Sequence, residues 1–81
     1  MTDTQAALRA RILELCAQRQ ITVNRLATIS GVTQSTPNNI VSGRNNSATV
    51  ATIKKLCDGL EITLRAFFDT PAFEDLEQEI Q

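Results

Sequence analysis

Gly31 closes a short helical pattern and constrains the fold more than any other residue in this 81-residue chain. Thr22 is a suitable N-cap for a helix that runs through Ser30, and a glycine directly after such a helix adopts the left-handed conformation at little cost. The chain then turns sharply, and a new helix follows Thr33. The segment 22–42 is therefore predicted to form two short helices joined by a tight turn.

The rest of the chain also has helical periodicity, and no segment alternates apolar and polar residues as a strand requires. A first helix is predicted to end near Arg19, and later helices to start at Thr49, Thr63 and Pro71, the last running to about residue 80. The strongest periodic segment follows Thr49, with these residues predicted to face inward: Val50, Ile53, Leu56, Cys57 and Leu60. The predicted fold class is all-α, with five helices and a short C-terminal helical extension.

Charge is distributed unevenly along the chain. Residues 15–57 contain five basic side chains and no carboxylate, whereas residues 69–81 contain five carboxylates and no base, and the formal net charge of −1 hides this asymmetry. A surface that faces phosphate has to exclude carboxylates, so the central window favours a nucleic-acid partner. The length allows one domain, assigned to residues 1–70, with residues 71–81 as an acidic extension that faces away from such a partner.

Several absences argue against other classes of protein. Without histidine, a glycine-rich phosphate loop or a central carboxylate pair, the chain is not expected to be an enzyme, and no metal or cofactor is expected. Cys16 and Cys57 have no metal-binding spacing and are predicted to be buried free thiols. No apolar run is long enough to cross a membrane, and the N-terminus lacks a basic segment, so a cytoplasmic protein without membrane association is expected.

Spaced residues over about positions 8–68 resemble the helix-turn-helix of the phage lambda and Cro repressor family, which includes xenobiotic-response-element-like transcriptional regulators. In chain order they are Leu26-Ala27, Gly31-Val32, Gln34-Ser35-Thr36, Ile40, Ser42-Gly43-Arg44, Thr49 to Leu56, and Leu60 to Leu64. The resemblance implies a lambda-repressor-like DNA-binding fold whose helix-turn-helix core is Leu26, Ala27, Gly31, Val32 and Ile40. Ala27 has to be small because the two helices cross closely there.

The resemblance implies a sequence-specific regulator that binds double-stranded DNA, with the helix after Gly31 in the major groove. Its base contacts would be Gln34, Ser35, Asn38 and Asn39. Its phosphate contacts would be Thr22, Asn24, Thr36, Arg44, Asn45, Asn46, Thr49 and Lys54. A homodimer on two half-sites is expected. Its candidate contacts are Phe67, Phe68, Phe73, Leu76 and Ile80, which could equally pack back onto the first and fifth helices.

Three residues depart from the family pattern: Pro37, Ala48 and Glu61. Ala48, where the pattern often has proline before the fourth helix, is a lesser departure that loosens the loop. Pro37 stands where an aliphatic residue packs the recognition helix, and Thr36 as cap with Pro37 as first helical residue avoids an interior proline. The recognition helix is therefore predicted to begin late or to be distorted, with Gln34 and Ser35 in a turn, a weakened apolar contact at position 37 and weakened DNA binding. Glu61 replaces the usual glycine after the fourth helix, which predicts left-handed strain.

A protein-interaction module of the same fold is the alternative function. It would act on a partner as an antitoxin-like or anti-regulator subunit, through the apolar side chains near the C-terminus. The sequence pI of about 5.2 and Pro37 favour this alternative, whereas the carboxylate-free central window opposes it.

Overall fold

Helices make up all the regular structure that the computed structural model describes, which covers residues 4–42 and 49–74. The helices are α1 (Thr4–Arg19), α2 (Val23–Ser30), α3 (Ser35–Ser42), α4 (Val50–Leu60), α5 (Leu64–Phe68) and α6 (Pro71–Glu74). This architecture confirms the predicted all-α class. The sixth helix is seen only to Glu74, and the rest of its predicted extent lies outside the described residues. Ala48 also lies outside them.

Threonine hydroxyls start three of the helices. Thr22, Thr49 and Thr63 have extended backbone conformations and cap α2, α4 and α5. Each Oγ1 accepts a hydrogen bond from the backbone N–H three residues later, at 3.0, 3.1 and 3.0 Å respectively. Because the first N–H groups of a helix have no partner within the helix, each cap removes an unsatisfied donor. These caps confirm the predicted helix starts.

Three helices end in the same way, with a left-handed residue followed by an aliphatic one. The left-handed residues are Gln20 (φ 56°), Gly31 (φ 71°) and Glu61 (φ 59°). The aliphatic N–H then bonds back to a carbonyl five residues earlier: Ile21 to Cys16 at 3.0 Å, Val32 to Ala27 at 3.1 Å, and Ile62 to Cys57 at 3.0 Å. This is the Schellman ending, which satisfies terminal carbonyls. The left-handed conformation predicted for Glu61 is confirmed. The left-handed conformation of Gln20 was not predicted from the sequence.

The core is formed by apolar side chains from α1 to α5. Its buried members are Leu8, Ile12, Leu15, Cys16, Leu26, Ile40, Ile53, Leu56, Cys57, Leu60 and Phe67. Burying one such large side chain contributes about 1.5–3 kcal/mol. The prediction that Val50 faces inward is wrong, since 69% of its surface is exposed. As the first residue of α4 it has helical neighbours on one side only.

Both cysteines are buried free thiols, as predicted. Burial raises the pKa of Cys16 and Cys57, and the negative charge of Asp58 raises that of Cys57 further, although Lys54 and Arg11 lower it. The two sulfurs therefore stay protonated at neutral pH and pack as small apolar groups.

Arg11 joins α1 to the end of α5. Its Nε donates to the Phe67 carbonyl oxygen at 2.7 Å, and one terminal nitrogen donates to the Ala66 carbonyl oxygen, also at 2.7 Å. The other terminal nitrogen pairs with Glu14, and only 13% of the Arg11 side chain is exposed. A cation that donates to the last carbonyls of a helix stabilises that end. Arg11 thereby fixes α5, and with it the aromatic side chains of that helix.

Gly59 allows α4 to approach α2 closely. A Cβ built on Gly59 would lie 2.2 Å from the Ser30 hydroxyl oxygen, closer than real Cβ contacts allow, and 3.0 Å from both the backbone nitrogen and the Cα of Ser30, tighter than most such contacts. The Ser30 hydroxyl is itself buried against this position without a hydrogen-bond partner. The crossing therefore depends on the missing side chain at Gly59.

We predict that Gly59→Ala lowers the free energy of unfolding by about 1–3 kcal/mol, because the methyl group forces two backbones apart. Urea unfolding followed by circular dichroism measures it. At a helical site with free space, Gly→Ala raises the free energy of unfolding by about 1 kcal/mol. The sign of the change at Gly59 therefore shows whether the site is obstructed. Ser30→Ala is the matched control and should be neutral or stabilising, since it removes an unsatisfied hydroxyl. A stabilised Gly59→Ala would contradict the close crossing.

Candidate nucleic-acid interface

The α2–turn–α3 unit is held together through its inner face. Leu26 and Ala27 have no exposed surface, and Ile40 is 2% exposed. Val32 is half-buried and packs against the core cluster, and Gly31 makes the left-handed turn. The residues predicted as the helix-turn-helix core thus lie where α2 meets α3. Of the α3 residues, Ser35 and Ser42 are exposed, and Asn38 and Asn39 are half-buried.

Pro37 lies in the first turn of α3 and does not interrupt it. The helix begins at Ser35, two residues before the predicted start, so the expectation that Pro37 is the first helical residue and Ser35 part of the turn is wrong. Gln34 does lie in the turn. An N–H at position 37 would have no partner within the helix, so proline loses no hydrogen bond there. The Thr33 carbonyl oxygen accepts from the Thr36 N–H at 3.0 Å instead.

The Pro37 ring also supplies apolar packing. It belongs to the largest fully buried side chains, with less than 2% of its surface exposed. The predicted weakening of the apolar contact at this position is therefore wrong. Proline fills the site that the family gives to an aliphatic residue, and it restricts the unfolded chain as well.

The four predicted base contacts fall on one short segment. Gln34 and Ser35 are exposed at the start of α3, and Asn38 and Asn39 are half-buried one turn later. The Ser35 hydroxyl lies 3.0 Å from the Thr33 hydroxyl. The side-chain amides and the hydroxyl of these four residues therefore lie together at the N-terminal end of α3.

One contact across the two helices was not anticipated from the sequence. Asn38 Nδ2 donates to Asn24 Oδ1 at 2.6 Å and to the Gln34 carbonyl oxygen at 2.6 Å. Asn24 and Asn38 are 14 positions apart, and no local pattern connects them. The N-terminal turn of α2 is thereby joined to α3 by side chains as well as by the core.

The predicted phosphate contacts surround this segment where they can be placed. Thr22, Asn24 and Thr49 are exposed at the first turns of α2 and α4, and Thr36 is half-buried, with its hydroxyl 3.1 Å from that of Thr33. Lys54 is exposed and forms an ion pair with Asp58. Arg44, Asn45 and Asn46 lie outside the described residues. The placed residues leave several hydroxyl and amide groups on the solvent side of the unit.

The predicted dimer contacts separate into interior and surface residues. Phe67 has no exposed surface, so it packs the core and is unable to contact a second chain, which corrects the prediction for that residue. Phe68 is 38% exposed and Phe73 is half-buried, and their ring centroids lie 4.9 Å apart. Leu76 and Ile80 lie outside the described residues.

A shallow surface pocket of about 430 Å³ lies beside the aromatic rings, lined by Leu64, Arg65, Phe68 and Asp69. Among residues 4–42 and 49–74, no group of three or more Cys, Asp or Glu side chains could hold a metal ion. None of the described helices is long and apolar enough to cross a membrane.

Two short packed helices, a left-handed glycine turn between them and an exposed N-terminal end of the second helix define a helix-turn-helix domain. Residues 11–72 match the sequence profile of the Cro/C1-type HTH DNA-binding domain, and the chain belongs to this family. The fold is similar to that in the crystal structure of the prophage Lp1 protein 11, with a TM-score of 0.81 and 36% identity, over 94% of this chain and 100% of that one. No curated protein matches the chain.

We predict that Pro37→Ala lowers the free energy of unfolding by about 1–2 kcal/mol. The substitution removes buried apolar surface and gives the unfolded chain more freedom. An interior helical proline would have the opposite effect, because its removal would stabilise the domain by about 3 kcal/mol. Thermal and urea unfolding measure the difference. A more stable Pro37→Ala would show that proline strains α3.

Proposed function

We propose that this chain is a sequence-specific regulator of transcription that places α3 in the major groove of double-stranded DNA. The observation that carries the proposal is the exposed start of α3, where Gln34 in the turn and Ser35 at the first helical position precede a helix whose other face is buried through Pro37 and Ile40. Membership of a DNA-binding family supports it. A major groove admits one α-helix, and the N-terminal residues of that helix reach the base edges.

The chemistry of these side chains suits base recognition. A glutamine amide can donate to N7 and accept from the N6 amino group of adenine in one bidentate pair, which discriminates against a wrong base by about 1–3 kcal/mol. Ser35 and Asn39 add a hydroxyl and a second amide on the same segment. Asn38 differs from them because its amide hydrogens are already engaged within the protein.

Phosphate contacts would hold the domain in register without reading sequence. The first turns of α2 and α4 contribute Thr22, Asn24 and Thr49, and α3 contributes Thr36. Lys54 adds a positive charge, and Arg44, Asn45 and Asn46 are part of the same proposal. The chain from residue 15 to residue 57 contains no carboxylate that would oppose this contact.

We also propose a homodimer, because two copies on half-sites about 34 Å apart read twice as many bases as one. The exposed part of Phe68 and the neighbouring Leu64 offer an apolar surface flanked by a cation and a carboxylate, Arg65 and Asp69. Phe73 lies at its edge. The alternative of a module that acts only on a protein partner is not favoured, since the family is one of DNA-binding domains.

The test is a fluorescence-anisotropy titration with a duplex that the chain selects from a random library. Between about 50 and 200 mM salt, affinity should fall about 40- to 500-fold if three to five phosphates are neutralised. Gln34→Ala should reduce the preference for the selected duplex over random duplex by about 5- to 150-fold.

Gln18→Ala, at an exposed glutamine of α1, is the matched control and should leave both affinity and preference unchanged. Two results would contradict the proposal: binding that does not respond to salt, or a Gln34→Ala variant that retains the full sequence preference.

A further inference from the structure

The contact between Asn24 and Asn38 has a defined direction. A backbone carbonyl oxygen only accepts hydrogen bonds, so the Asn38 atom that lies 2.6 Å from the Gln34 oxygen has to be the nitrogen. The same nitrogen lies 2.6 Å from the Asn24 side chain, which must therefore present its oxygen. The orientation of both amides follows from one peptide carbonyl in the turn before α3.

This direction decides what each asparagine has left to offer. Asn38 uses both hydrogens of its amide inside the protein, on Asn24 and on Gln34. Asn24 is exposed, and because its oxygen is occupied, its Nδ2 with two hydrogens remains for an acceptor outside the chain. An unconstrained asparagine could turn either end of its amide outward, and an outward oxygen would repel a phosphate.

We propose that Asn38 is a positioning residue and not a base contact: it holds Asn24 with its donor end outward, toward a phosphate oxygen of bound DNA. This inference rests on the proposed function and refines it. The same two bonds fix the start of α3 against the first turn of α2. Base reading is then left to Gln34, Ser35 and Asn39.

Bidentate adenine recognition by Asn38 would conflict with this arrangement. Such a pair needs one hydrogen of the amide nitrogen as donor and the amide oxygen as acceptor. Asn38 would have to give up at least one of its two internal bonds and turn away from Asn24. The Asn24 amide would then lose the partner that orients it.

The first arm of the test uses the free protein. In a nuclear magnetic resonance spectrum, the Asn38 side-chain amide protons should exchange with water more slowly than those of Asn39, and Asn24→Ala should shift the Asn38 signals. Asn24→Asp keeps an acceptor for Asn38, so it should preserve the slow exchange. Equal exchange at Asn38 and Asn39 would overturn the inference without any DNA present.

The second arm is a double-mutant cycle on the duplex selected by the unmodified chain. Asn24→Ala and Asn38→Ala should each weaken binding about fivefold, on selected and random duplex alike. The double variant should be no weaker than the weaker single variant, because both substitutions remove one unit. Asn24→Asp should weaken binding more than about tenfold, since it turns a carboxylate toward phosphate.

Asn39→Ala is the matched control, because it removes a neighbouring asparagine amide that takes no part in the bridge. Its effect should multiply with that of Asn24→Ala. If the effects of Asn24→Ala and Asn38→Ala also multiply, or if Asn38→Ala changes the preference at one base pair only, Asn38 reads a base and the inference is wrong. Circular dichroism at the assay temperature verifies that each variant is folded.

The two arms separate this inference from the proposed function. A protected Asn38 amide in a chain that selects no sequence from the library would leave the bridge intact and refute sequence-specific binding. If that chain also failed to bind random duplex, the phosphate role of Asn24 would be refuted as well. Selection of a sequence by a chain whose Asn38 amide exchanges freely would support the function and refute the bridge.

Discussion

The burial of Pro37 and Ile40 is the constraint on which the interface depends. A helix of eight residues does not hold its shape alone in water, because its few hydrogen bonds do not offset the entropy of ordering the chain. α3 gains that stability by burying these two side chains, of which Ile40 belongs to the core cluster. The polar start of the helix, with Gln34 in the turn and Ser35 at the first helical position, is ordered as a result. The position of the polar surface is therefore set by apolar contacts on the opposite side of the same helix.

The connections after α1 and after α4 have the same structure, and they help to arrange the core on which α3 packs. At the ends of α1 and α4 the same four residue types recur at the same spacing: a cysteine in the last turn of the helix, then a left-handed residue, an isoleucine and a capping threonine. They are Cys16, Gln20, Ile21 and Thr22, and then Cys57, Glu61, Ile62 and Thr63. The isoleucine N–H closes the finished helix, and the threonine hydroxyl opens the next one. Each such connection leaves few backbone N–H and C=O groups unsatisfied, so it holds the two short helices that it joins in a defined arrangement.

Local features of the chain were predictable from the sequence. Threonine caps act within three residues, and the left-handed Gly31 depends only on its neighbours, so both follow from local rules. The fold class and the family also followed, since apolar periodicity identifies helices and spaced residues identify the motif. The candidate base and phosphate contacts could be named in the same way, but their individual roles depend on contacts that spacing does not give.

Features that join distant segments were not predictable. No local pattern marks Gly59 or Arg11, because their partners, Ser30 and Phe67, lie far away in the chain. The prediction that α3 begins at Pro37 was wrong for a similar reason. The start of α3 is set by the turn and by burial, and the preference of proline for the first helical position did not locate that start. The Asn24–Asn38 bridge likewise exists only once the two helices have packed.

The most direct test of the account is a map of backbone amide chemical shifts as an isotope-labelled chain is titrated with the duplex that it selects. The account predicts the largest changes at residues 22–24 and 33–39, where α2 and α3 present their first turns. Changes concentrated instead at residues 64–74, on α5 and α6, would contradict the claim that the helix-turn-helix unit is the surface that binds DNA.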